Sequence, residues 1–151
     1  MRIIDAGTAI TWIIKGIHIS NVIIEGNIDL SGQTIESELN LFDSEIRGYL
    51  NLSMTIIKGG VWISSTEIKG YLDLRQAKIE GDLSLRGIDG STLHNELLLE
   101  GVSIRGYLNL AAKKGPTVIY VEPEIAEIVH WAAPNIPIVV RQCCFGTEVT
   151  E

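Results

Sequence analysis

An isoleucine recurs every eleven residues through the middle of this chain, at Ile24, Ile35, Ile46, Ile57, Ile68 and Ile79. Four and six residues after each stands an apolar pair: Ile28/Leu30, Leu39/Leu41, Leu50/Leu52, Val61/Ile63, Leu72/Leu74 and Leu83/Leu85. The unit reads I-x-G-x-L-x-L-x-x-x-x. The next heads are Leu93 and Ile104, with Leu97/Leu99 and Leu108/Leu110 in the paired places, so one interval is fourteen and the rest are eleven. Three residues are therefore inserted near 87–92, and the heptapeptide IRGYLNL recurs at 46–52 and 104–110 because its offset is five elevens plus three. Weaker units are read at Ile13 with Ile17/Ile19 and at Ile119/Val121.

A short period repeated this often specifies a solenoid. Within each unit the apolar positions alternate, which is strand periodicity, and the remaining residues are rich in Ser, Gly, Thr and Gln, which is turn chemistry. Helical solenoids are excluded on that ground. The glycine two residues after the head (Gly26, Gly48, Gly59, Gly70, Gly81 and Gly106) predicts a bend or a close approach of neighbouring coils. Thr55, Thr66 and Ala77, two residues before a head, are small enough for a tight corner.

Eleven residues extend at most about 36 Å, too little to circle a filled core and return one strand spacing higher. Two units, 22 residues, are the natural coil. Outward residues 22 apart then stack: Tyr49 with Tyr71, and Asp29, Asn51 and Asp73 in one row. Glu36, Lys58, Glu80 and Arg105 alternate in sign and are expected to support one another, whereas Glu25, Arg47, Lys69 and His94 form a weaker column.

The opening AITWIIKGIHISNVIIEGNIDLSG, residues 9–32, and the run of I-x-G-x-L-x-L units over 24–85 resemble the pentapeptide-repeat proteins and related eleven-residue β-solenoids. That resemblance implies right-handed winding. Units that close on eleven rather than five favour a flatter coil with two longer sides over a square one. The expected fold is thus mainly β, a parallel β-solenoid of about 22 residues per coil, with caps at both ends. The solenoid covers 1–121, including an N-terminal capping segment over 1–23, and a C-terminal capping segment covers 122–151.

At the start, Thr8 is expected to cap a short turn running to Lys15, with Gly16 as its stop and Trp12 and Ile13 buried over the first coil. A strand is almost as well supported there, because the stretch is β-branched. At the other end, TVIYV, PEIAEIVHWAAP and NIPIVV predict strand, helix and strand. This tail closes the lower end or docks a partner, and capping is preferred because an uncovered sheet edge invites aggregation.

The formal charge of −7 argues against direct nucleic-acid binding, which needs clustered Lys and Arg. No apolar run approaches the roughly 18 residues of a membrane span, and no basic-then-apolar leader is evident, so a cytoplasmic address is expected without membrane contact. Adjacent Cys143 and Cys144 read as reduced thiols. DAGTAIT, 5–11, echoes the Asp-Gly-Thr phosphate loop of actin-like kinases but lacks the domains that motif needs. His18, His94 and His130 are too dispersed to share a metal, and no nucleophile triad assembles; neither cofactor nor metal is expected, and the chain reads as no enzyme.

The candidate binding face carries Asp29, Tyr49, Asn51, Tyr71 and Asp73. A non-catalytic scaffold or protein-interaction module with an unidentified protein partner is the first expectation. The resemblance also implies a second, an acidic DNA mimic that inhibits a DNA-binding enzyme such as gyrase. A third is a carbohydrate-binding or carbohydrate-active β-helix, with tyrosines flanked by carboxylates.

Overall fold

The computed structural model describes residues 1–85 and 96–109, together with the backbone of two further strands at 119–121 and 138–140. Strand β1 (Arg2–Asp5) leads into helix α1 (Ala6–Ile14), after which the chain enters the coils. These comprise β2 (Ile19–Ser20), β3 (Val22–Glu25), β4 (Ile28–Asp29), β5 (Thr34–Ile35), β6 (Leu39–Phe42) and β7 (Glu45–Ile46). Next come β8 (Leu50–Asn51), β9 (Ile56–Ile57), β10 (Val61–Ser64), β11 (Glu67–Ile68), β12 (Leu72–Asp73), β13 (Lys78–Ile79) and β14 (Leu83–Ser84). The later strands are β15 (Leu97–Leu98), β16 (Ser103–Ile104), β17 (Leu108–Asn109), β18 (Ile119–Val121) and β19 (Ile138–Val140).

All pairings are parallel, and they assemble four sheets rather than two. Side one is β1-β3-β7-β11, and side two is β4-β8-β12-β15-β18-β19. Side three is β5-β9-β13-β16, and side four is β2-β6-β10-β14-β17. The expected 22-residue coil is present: Ile24 pairs with Ile46 and Ile46 with Ile68, Leu50 with Leu72, and Ile57 with Ile79. The expected flat coil of two long sides is corrected to four short sides. Each described unit bends twice, once two residues after its head, at a glycine or, in the unit of Ile35, at Ser37, and once after its apolar pair. The second bend places a left-handed residue at Asn21, Gly32, Asp43, Met54, Ser65 and Gln76, eleven residues apart.

The inward columns form one stacked aliphatic core. Ile24, Ile46 and Ile68 are fully buried, as are Ile28, Leu50 and Leu72, and Ile35 and Ile57. Threonines at the corners are inside as well: Thr55 Oγ1 donates to the Leu52 carbonyl at 2.6 Å, satisfying a buried hydroxyl within its own turn. The insertion expected at 87–92 lies outside the described residues, but its consequence is visible. Leu72 pairs with Leu97, Ile79 with Ile104 and Leu83 with Leu108, all at an offset of 25, so stacking resumes in register beyond it.

At the N-terminal end, the expectation of strand as a near-equal alternative is settled by a helix. Asp5 caps it, accepting from the Thr8 amide at 2.7 Å, so Thr8 is not the cap. Asp5 has the extended backbone and short acceptor that an N-cap requires, whereas Thr8 is already within the first turn. Gly16, at φ +75°, stops the helix as expected. Ile13 is buried but belongs to this helix, and Ile17 is exposed, so the weak unit read there does not exist; only Ile19 occupies a coil position, opposite Leu41. At the other end, β18 and β19 lie in the expected strand segments and pair in parallel. The expected helix between them, and the capping role of 122–151, fall outside the described residues.

Candidate interaction face

Side two carries the five residues that the sequence singles out. Register places Asp29 beside Asn51 and Asn51 beside Asp73 on successive coils. Just before these strands, Tyr49 and Tyr71 stack with ring centroids 4.8 Å apart and planes 3° from parallel. That separation is one strand spacing, so the coil pitch itself sets the stack. Tyr107, an odd number of units (five, plus the three inserted residues) after Tyr49, precedes β17 on side four and is 83% exposed.

The row of Asp and Asn side chains is held by local turns. Asp29 Oδ1 accepts from the Ser31 amide at 3.0 Å and the Ser31 hydroxyl at 2.7 Å. Asn51 repeats this with Ser53, at 2.9 and 2.7 Å. Asp73 accepts from the Arg75 amide at 3.0 Å and takes a two-pronged contact from its guanidinium, Nε at 3.0 Å and Nη2 at 2.6 Å. The acceptor side chain thus substitutes for a backbone turn, in the manner of an Asx turn. Sequence reasoning placed the row but missed Ser31, Ser53 and Arg75, although D-L-S, N-L-S and D-L-R display the partner two residues on. Asn27 was missed too: its Oδ1 accepts from the Tyr49 amide at 3.1 Å across one coil.

These contacts set the electrostatics. The Ser31 hydroxyl and amide hold the Asp29 carboxyl below the ordinary carboxylate value. Burial pushes the Tyr71 phenol upward, and Tyr49, Asp73 and Asp29 reinforce the shift. Hydrogen bonding to Asp73 raises the Arg75 guanidinium further. Each shift favours the form already present near neutral pH, so none of these groups is tuned towards proton transfer.

The charge columns also need correction. Besides Arg75 with Asp73 on side two, the ion pairs among the described residues lie on side one, where Arg47 reaches Glu25 and approaches Glu45 at 3.6 Å, and Lys69 lies 3.9 Å from Glu45 and 3.3 Å from Glu67. The column of Glu36, Lys58, Glu80 and Arg105 makes no such pair. Side one succeeds because Glu45 and Glu67, the residues before the heads, provide a second acidic column beside Arg47 and Lys69. On side three the corresponding places hold Thr34, Ile56 and Lys78.

Among the described residues, no three His, Cys, Asp or Glu side chains gather as metal ligands, and no helix is long and apolar enough to cross a membrane. His94, His130, Cys143 and Cys144 lie outside them. The fold and this face together define a parallel β-solenoid with a stacked tyrosine pair on one side. No family model, curated protein or solved structure matches the chain.

Proposed function

We propose that this chain is a non-catalytic, cytoplasmic β-solenoid of the pentapeptide-repeat kind that serves as a scaffold or protein-interaction module, with side two as the contact face. Coils of four short sides support the kinship. The observation that carries the functional reading is the Tyr49/Tyr71 stack set beside Arg75, whose guanidinium is clamped by Asp73. Tyrosine and arginine dominate the energetics of protein interfaces, and side chains already immobilised lose less entropy on binding.

The same geometry weakens the alternatives. A DNA mimic needs free carboxylates at regular intervals, but in this row Asn51 is neutral and Arg75 offsets Asp73. A sugar-binding platform needs an open aromatic face, yet each tyrosine turns one face to the other.

Affinity purification from the source cell extract with the wild-type chain and with Tyr71→Ser tests the proposal. A discrete protein partner retained by the wild type and lost by a Tyr71→Ser variant of unchanged circular dichroism is expected. Equal recovery by both would remove side two from the interface. Inhibition of gyrase supercoiling by the purified chain would favour the DNA mimic, and calcium-dependent signals on a glycan array would favour the carbohydrate reading.

A further inference from the structure

A trough of about 510 Å³ crosses the coils where side four turns into side one. Its corner wall is a stack of like turns, Asn21, Asp43 and Ser65, with φ of 56°, 49° and 50°. Its other wall is the outward column Ile23, Glu45 and Glu67, in register on successive strands, and Met1 lies at the N-terminal end. The trough is therefore apolar at one end, where Ile23 and Met1 meet, and acidic along the rest. Ile3, paired with Ile23 and 57% exposed, extends the apolar end.

The charges around it do not balance. Glu25, Asp43, Glu45 and Glu67 stand against Arg47, Lys69 and the Met1 ammonium, and both side-chain cations are engaged with Glu25, Glu45 and Glu67. No ion pair reaches Asp43 among the described residues. A complementary occupant brings a cation to Asp43 and an aliphatic group to Ile23. Successive coils are about 4.8 Å apart, whereas same-face side chains of an extended chain recur at about 6.8 Å. An aliphatic residue seated on Ile23 thus places the side chain two residues on between the levels of Glu45 and Glu67, beside Asp43. A second copy of the chain is disfavoured because each copy carries a formal charge of −7.

We propose that this trough docks an extended segment of a partner protein bearing an aliphatic residue and, two positions away, a lysine or arginine. The proposal rests on the interaction-module reading and adds a second contact on side one.

Panning a random heptapeptide library against the full chain, followed by anisotropy titration of the enriched peptides, tests it. Enrichment of an aliphatic-x-basic pattern is expected. Combining Asp43→Asn with Glu67→Gln should weaken binding at least tenfold while leaving the melting temperature near that of the wild type. Asn tolerates the left-handed backbone at position 43, and the pair of changes removes charge without altering shape. Ile23→Thr should weaken the same peptides, and Tyr71→Ser should leave them unaffected. No enriched pattern, or enriched peptides indifferent to the trough variants, would overturn the proposal. Peptides that respond only to Tyr71→Ser would overturn it while leaving the interaction-module reading in place. Sedimentation showing a dimer abolished by the trough variants would assign the trough to a second copy instead.

Discussion

Tyr71 lies directly above Tyr49, one coil higher, with the two rings 4.8 Å apart and 3° from parallel. The backbones impose this geometry, since Leu50 and Leu72, the next residues along, are paired in the sheet. A well-placed aromatic pair contributes roughly 0.5–1.5 kcal/mol beyond the area it buries. Tyr71→Ser should therefore lower stability by about 1 kcal/mol. A double-mutant cycle with Tyr49→Ser should show coupling of about 0.5 kcal/mol or more in urea unfolding. Strictly additive losses would mean that the stack follows from the coil without stabilising it.

Two glycines separate two reasons for having no side chain. A Cβ on Gly70 would lie 2.8 Å from the backbone nitrogen and Cα of Tyr49, atoms that cannot yield without parting the coils. A Cβ on Gly32 would meet nothing within 4 Å, but its φ is +72°. Gly70→Ala should cost about 1–3 kcal/mol by overpacking, and Gly32→Ala about 1 kcal/mol through backbone strain. Asparagine distinguishes them. Gly32→Asn should be nearly neutral in thermal melting, while Gly70→Asn should be at least as damaging as Gly70→Ala.

Those glycines also show where the sequence was legible. Spacing reveals how far the chain travels before it lies over itself, so the 22-residue coil, the buried columns and the Tyr49/Tyr71 stack could all be read from it. The number of bends per coil could not. Bending is done partly by glycines such as Gly70, which mark themselves, and partly by left-handed residues such as Met54 and Gln76, whose side chains carry no turn signature. The candidate face was legible as a row but not as chemistry: Asp29, Asn51 and Asp73 stood out as outward polar residues, while their engagement two residues ahead depends on backbone direction at the corner. Ion pairing went to side one because two adjacent columns decide it, and a single column read at 22-residue intervals shows only half of that arrangement.

Acid should act on two carboxylates held below their ordinary value, Asp5 by the Thr8 amide and hydroxyl and Asp29 by the Ser31 hydroxyl and amide. A carboxyl whose folded pKa lies below its unfolded one contributes its full stabilisation above the unfolded value, near pH 4, and loses it as pH falls through the folded value. These residues should therefore have little effect on pH dependence between about pH 5 and 7 and should steepen the decline in stability below about pH 4. Asp5→Asn with Asp29→Asn keeps an oxygen acceptor at both places and removes the titration. Its melting temperature should fall less than that of the wild type between pH 5 and pH 3. An acid limb at least as steep in the double variant would assign the loss to other carboxylates.

Arg75 and Asp73 provide the test that links stability to the proposed face. Asp73 is 1% exposed, lying between Asn51 and Leu98 in the sheet, and the Arg75 guanidinium holds both of its oxygens. Replacing Arg75 by Ser leaves a buried carboxylate with a backbone amide and, at best, a hydroxyl. The expected loss is about 1–3 kcal/mol, moderated because the arginine is itself half exposed and water can enter its place. Adding Asp73→Asn rebuilds the turn found one coil below, where Asn51 accepts from the amide and hydroxyl of Ser53. The double variant should regain most of the stability lost by Arg75→Ser alone in chemical unfolding. With the fold restored and the guanidinium gone, it should still lose the partner if Arg75 is an anchor of side two. A double variant no more stable than the single one would show that the stranded carboxylate is not the source of the loss.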